Sequence, residues 1–327
     1  MATSTDSPPP TDSALSTDAS TETPLPTGTE LELRHGDQYA VVTEVGAHLR
    51  AFSTGGRDVV VPFAAEHLPP AFHGAVLAPW PNRIGEGAYT WDGTEYQLDL
   101  SEPERSTAIH GLVNWQRWRI LDSGPASATL AIEPPATPGY PFQLAITIGY
   151  SLGAGGLEIE LRARNIGRQA APYGVGFHPW LSPGPGALDE ATLQMDATGW
   201  VRTDERLLPT GTEDLPEEFD FRSARPLGAT ALDDAFTGAT YDDQDLSWVR
   251  LRGTDGYTAA VWMDRALGVW QLCTGDAIPG LAGRSGLAAE PMSCAADAFR
   301  TGQDLVRLEP GDDHVARWGL TLQRPTT

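Results

Sequence analysis

Between residues 144 and 163 the chain is apolar at every second position. Leu144, Ile146, Ile148, Tyr150 and Leu152 alternate with polar or small residues, and after Gly153-Ala154-Gly155-Gly156 the pattern resumes at Leu157, Ile159, Leu161 and Ala163. A period of two puts one side of an extended strand into a core, whereas a helical period would scatter these side chains around its axis. The stretch is therefore predicted to be a long antiparallel hairpin with one buried face. Tyr89-Thr90-Trp91, Asp92-Gly93 and Thr94-Glu95-Tyr96 predict a second hairpin on a type I′ turn. Asp255-Gly256, ahead of the run from Tyr257 to Trp262, predicts a third. Helical periodicity is confined to short turns within 214–220 and 295–300. No strand is followed by G-x-G-x-x-G and no βαβ alternation occurs, which argues against a dinucleotide-binding fold. The expected fold class is all-β, a large antiparallel β-sandwich with few short helices.

With 327 residues and 40% hydrophobic side chains the chain can bury a sizeable core, and all-β chains of this size often form one unit. Residues 1–28 differ in kind: 17 of them are Ser, Thr or Pro. They have neither the basic start and apolar stretch of a secretory signal nor the arginines of a transit peptide, and are expected to be a disordered tail. A single domain is expected over 29–327. No apolar run approaches the ~20 residues of a membrane span. Cys273 and Cys294 lack C-x-x-C spacing and read as reduced thiols, consistent with a cytoplasmic protein.

Charge narrows the chemistry. The formal net charge is −22 and every one of the 22 basic residues is arginine. Without lysine there is no Schiff-base amine, no pyridoxal phosphate anchor and no P-loop lysine. Four acids lie in residues 1–28, which leaves −18 on the body. Such a surface repels nucleic acid and anionic membranes, and neither is an expected partner.

Polar residues in unusual local settings mark where chemistry can sit. In Pro79-Trp80-Pro81-Asn82-Arg83-Ile84 two prolines stiffen the backbone ahead of an Asn-Arg pair, so Arg83 is either a fixed fork for ligand oxygens or a surface ion-pair partner. His110, in Ile109-His110-Gly111-Leu112, and His178, in Phe177-His178-Pro179-Trp180, are acid–base candidates or structural histidines. Their spacing is not that of a metal site. In Leu232-Asp233-Asp234-Ala235-Phe236 the acids either bind hydroxyls or cap a turn. Glu290, in Ala289-Glu290-Pro291-Met292, is either a base with a pKa raised by desolvation or an arginine partner. Ten tryptophans, including Trp80, Trp115, Trp180 and Trp270, add core residues or stacking surfaces. Arg, Asn, His, Asp, Glu and indole together suit a neutral sugar better than a nucleotide.

At these same segments the sequence resembles the aldose 1-epimerase (galactose mutarotase) family. The resemblance also takes in Gln271-Leu272-Cys273-Thr274-Gly275-Asp276 and Leu308-Glu309-Pro310-Gly311, and it covers roughly residues 30–324. It implies a galactose mutarotase-like β-supersandwich and a cofactor-free isomerase that interconverts the α and β anomers of a free hexose such as glucose or galactose. By position, Glu290 matches the base that deprotonates O1, His178 the acid that protonates the ring oxygen O5, and His110 the second histidine. Arg83, Asn82, Asp233 and Gln271 match sugar-binding positions. Asp234 stands where the family has a histidine.

Three other readings share these residues. A hexose-6-phosphate 1-epimerase needs basic side chains at the site, and Arg105-Ser106 and Arg284-Ser285 are the segments that could supply them. A glycoside hydrolase would pair Asp233 or Asp234 with Glu290. A non-catalytic sugar-binding protein would leave Glu290 idle. The expected partner in each case is a small sugar, and the sequence is silent on oligomeric state.

Overall fold

A computed structural model of the chain describes residues 25–276, 278 and 283–325. The long hairpin is present: strands Leu144–Gly153 and Gly156–Asn165 pair antiparallel, with Leu144 opposite Asn165 and Leu152 opposite Leu157. All nine alternating apolar residues are buried. Each fully buried Leu or Ile contributes about 1.5–3 kcal/mol. This hairpin lies inside a nine-stranded antiparallel sheet, where strand Asp313–Gln323 joins it to strands Thr258–Met263 and Ser247–Arg252. At one edge the two-residue strand Arg225–Pro226 places a proline, which has no N–H to recruit a further strand.

An eight-stranded antiparallel sheet packs against the first. Phe177 of the second sheet lies on Trp318 of the first, ring centroids 5.0 Å apart. Trp270 Nε1 donates across the interface to Ser247 Oγ at 3.0 Å, so the indole is buried without losing its hydrogen bond. The fold is all-β and antiparallel, as the alternation predicts. A four-stranded sheet built from residues 30–58 is tied to the long hairpin by Gln38 Nε2 donating to the Gly153 carbonyl at 2.6 Å.

The second hairpin, Ala88–Trp91 with Thr94–Gln97, turns at Asp92 (φ 47°) and Gly93 (φ 79°), both left-handed as a type I′ turn requires. The third joins Ser247–Arg252 to Thr258–Met263 through a longer loop closed by Gly253 N–H donating to the Tyr257 carbonyl. Both predicted helical turns contain helix: a 3-10 turn at Glu217–Phe219 and an α-turn at Ala298–Thr301. The 3-10 turns Pro70–Phe72, Pro103–Arg105 and Leu188–Glu190 were not predicted, since three residues are too few to carry a period.

Residues 1–24 of the expected tail lie outside the described residues. Its last four, 25–28, turn onto the body, where Thr27 is buried and its carbonyl accepts from Val45 N–H at 3.0 Å. Cys273 and Cys294 are buried free thiols. Among the described residues no helix is long and apolar enough to cross a membrane.

Candidate active site

Three neighbouring strands of the eight-stranded sheet, Asp233–Thr237, Val269–Cys273 and Leu287–Met292, border a cavity of about 470 Å³. In their register Gln271 stands opposite Glu290, and Asp233 opposite Cys273. The pleat therefore brings Asp233, Gln271, Cys273 and Glu290 to one face, and all four line the cavity. His178 follows the short strand Gly176–Phe177. Its backbone is pinned on both sides, its N–H donating to the Ala75 carbonyl at 3.0 Å and its own carbonyl accepting from Gly74 N–H at 2.9 Å. That fixes the ring with Nε2 at 3.4 Å from Oε1 of Glu290.

The facing wall is a two-stranded ribbon, Arg83–Gly85 paired with Thr107–Ile109. Asn82 and His110 flank it, both left-handed with φ of 54° and 63°. Asn82 N–H donates to His110 Nδ1 at 3.2 Å, which leaves the ring proton on Nε2. His110 N–H donates back to the Asn82 carbonyl at 3.0 Å. The next residue must be glycine: at φ 74°, a Cβ on Gly111 would lie 2.1 Å from the Ala78 carbonyl oxygen.

A chain of hydrogen bonds links the two walls. Arg83 Nε and one terminal nitrogen donate to the two oxygens of Glu102 at 2.7 and 2.9 Å. Asn82 Oδ1 accepts from Arg83 N–H at 2.9 Å, and Asn82 Nδ2 donates to Gln271 Oε1 at 3.2 Å. Gln271 Nε2 donates in turn to Asp233 Oδ1 at 3.0 Å.

Burial governs the electrostatics. It pushes the Glu290 carboxyl well above the usual carboxylate range, with Asp233 acting in the same direction and Arg83 against it. It lowers His178 to about 3, helped by His73. His110 is also held well below its ordinary value, by burial and then by His178 and Arg83. Asp233 is raised by burial against the pull of Arg83. His178 Nε2 and Glu290 Oε1 thus approach each other where burial disfavours charge on both groups.

All seven site candidates, Glu290, His178, His110, Arg83, Asn82, Asp233 and Gln271, line this one cavity. Asp234 does not; the strand alternation turns it to the other face, where Oδ1 accepts from Trp200 Nε1 at 2.8 Å. None of the ten tryptophans lines the cavity either. Trp80, Trp180 and Trp270 are core residues, and Trp180 supports His178 from behind with ring centroids 5.9 Å apart.

The aromatic wall is instead Phe72, which no motif had marked. Its ring centroid lies 4.6 Å from that of His110 and 6.2 Å from that of His178. Ala71 and Phe72 are both left-handed, with φ of 42° and 56°, an arrangement that costs about 1–2 kcal/mol per residue and that sequence gives no way to foresee without a glycine. Glu102 was missed as well. Of the two arginine segments, Arg105 reaches the cavity rim, whereas Arg284 is taken up by Asp189, Asp276 and the carbonyls of Gly228 and Thr230. Among the described residues no group of three or more His, Cys, Asp or Glu side chains converges as a metal site would.

Comparison with known proteins identifies the architecture. The galactose 1-epimerase of Lactobacillus acidophilus NCFM superposes with a TM-score of 0.76 at 17% identity, over 90% of this chain and 95% of that one. The GalM/aldose epimerase homologue from C. elegans superposes with a TM-score of 0.80 at 19% identity, over 91% and 99%. In sequence, the protein YihR of Escherichia coli (strain K12) is 38% identical over 91% of this chain and 94% of its own length. The galactose mutarotase of Sus scrofa is 32% identical over 52% of each chain. The sequence profile described as aldose 1-epimerase matches residues 29–321. The chain belongs to the aldose 1-epimerase family.

Proposed function

We propose that the protein interconverts the α and β anomers of a free hexose, using Glu290 and His178 as its acid–base pair. The observation that carries this reading is the 3.4 Å approach of His178 Nε2 to Glu290 Oε1 at the wall of a cavity large enough for one sugar. Anomerisation needs one proton removed from O1 and one delivered to O5, with no net change in charge. Glu290 as carboxylate accepts the O1 proton while His178 as imidazolium protonates O5; the C1–O5 bond breaks and C1 becomes an aldehyde. Rotation about C1–C2 presents the other carbonyl face; His178 then takes back the O5 proton as O5 attacks C1, and Glu290 returns its proton to O1. Ring opening leaves Glu290 protonated and His178 neutral, which is the state that burial favours in the pair on its own. The reactive ion pair differs from that state only by a proton moved between partners already in contact. His110, with its proton on Nε2, is the proposed donor to the ring oxygen. Arg83, Asn82, Gln271 and Asp233 supply forks and acceptors for the remaining hydroxyls.

Polarimetry on freshly dissolved α-D-glucose and α-D-galactose tests the activity. Faster approach to the equilibrium rotation is expected with at least one, and the uncatalysed rate with every common aldose would sink it.

One observation favours a second reading, a hexose-6-phosphate 1-epimerase. Arg105 lies at the cavity rim, where it could meet a phosphate. Against it, Glu102, Glu104 and Asp276 line the same cavity, and Glu102 already forms an ion pair with Arg105 at 3.3 Å. Equal concentrations of glucose and glucose 6-phosphate, compared for rate, separate the two.

A further inference from the structure

We propose that Glu102 is a positioning residue of this site, acting through Arg83: its carboxylate holds the guanidinium in the one orientation that serves the sugar. The inference rests on the sugar-site reading above. Arg83 and Glu102 are both largely buried, with side chains 11% and 13% exposed. Glu102 takes two of the guanidinium's donors in a forked pair at 2.7 and 2.9 Å. The remaining terminal nitrogen is left on the side of Asn82 Oδ1, at 3.4 Å. A forked pair fixes the plane of a guanidinium, which a single contact cannot do.

The carboxylate is itself held from two further sides. Thr107 Oγ1 donates to Oε2 at 2.6 Å, and Arg105 approaches Oε1 at 3.3 Å. Thr107 belongs to the strand that pairs with the Arg83 strand, so two of the partners that hold the Glu102 carboxylate, Thr107 and Arg83, share one ribbon. Loss of the fork would free Arg83 to swing towards Asp233 and Glu290, the other carboxyl groups facing it. A side chain that merely tied the ribbon together would not be expected to influence sugar affinity through Arg83 alone.

A double-mutant cycle on the full chain separates those roles. Galactose and glucose affinity is measured by titration calorimetry, turnover by polarimetry and folding by thermal melting, for Glu102→Gln, Arg83→Ala and the double variant. Glu102→Gln is expected to weaken Kd and raise KM by about tenfold with kcat within about threefold, and to add nothing once Arg83 is alanine. Multiplicative losses in the double variant, or unchanged affinity in a folded Glu102→Gln protein, overturn the proposal. If Glu102→Gln does not fold, Thr107→Val takes its place in the cycle, with a smaller loss that must likewise vanish on the Arg83→Ala background. A wild-type chain that binds sugar without turnover refutes the epimerase activity and leaves the affinity cycle to decide on Glu102. A chain that does neither overturns both.

Discussion

Oε1 of Glu290 and Nε2 of His178 lie 3.4 Å apart, and both side chains are almost wholly buried. Burial makes a charge costly on either group by itself, so the carboxyl is raised and the imidazole lowered. Burial therefore sets their chemistry more than the ordinary pKa of either residue does.

Removing either partner should stop the reaction without unfolding the protein. Glu290→Gln and His178→Asn keep similar shapes, and each is expected to lower kcat by about 10²–10⁴-fold, the range for a positioned acid or base. Polarimetry alongside thermal melting checks this; a folded variant with wild-type turnover refutes the assignment.

The adjacent aspartates should behave differently. Asp233→Ala removes the acceptor of Gln271 inside the cavity and is expected to raise KM by about tenfold. Asp234→Ala removes the acceptor of Trp200 Nε1 and of the Asp233 backbone N–H, both away from the cavity, and should leave KM within about twofold, with a lower melting temperature. Steady-state polarimetry on both variants decides; equal effects on KM would contradict the strand geometry.

Stability should rise with pH between about 5 and 6.5. Unfolded histidines titrate near 6.5. In the folded protein burial lowers His48 and His73 to about 4 and His178 to about 3, and holds His110 well below its usual value. The unfolded chain then binds more protons than the folded one, so stability is lost as pH falls through this window. Glu290 works in the opposite sense, because its raised pKa keeps a proton that the unfolded chain gives up. His314 is also lowered by burial. These five histidines act against Glu290 and the raised carboxyls of Asp58, Asp233, Asp264 and Asp297, which ordinarily titrate below this window. The melting temperature measured from pH 5 to 6.5 is expected to climb. A flat or falling curve would show that these rings are not buried neutral.

What could be read from sequence follows from how local each signal is. The hairpin of residues 144–163 was legible because its alternation is written in consecutive residues. Asp92-Gly93 was legible because two residues define that turn. The seven cavity residues were reachable through motif resemblance, each being flanked by distinctive neighbours. Glu102 was not, since its partner Arg83 lies 19 residues away and meets it only when the ribbon folds. Alternation implies that only one of Asp233 and Asp234 faces the cavity, and it does not say which. Phe72 stayed hidden because the left-handed bend that aims it is built from Ala71 and Phe72 without a glycine.

The hydrogen-bonded chain from Arg83 to Asp233 also has a direction. Asn82 Oδ1 is committed to the backbone N–H of Arg83, so its amide nitrogen must be the donor to Gln271. Gln271 then has its own amide nitrogen turned to Asp233. Neither amide can flip without breaking the link before it. At the far end Asp233, as a carboxylate, has nothing but lone pairs to show the cavity, so a sugar hydroxyl resting there must bring its own proton. The ribbon at one wall thereby dictates which way a hydroxyl on the other wall has to point.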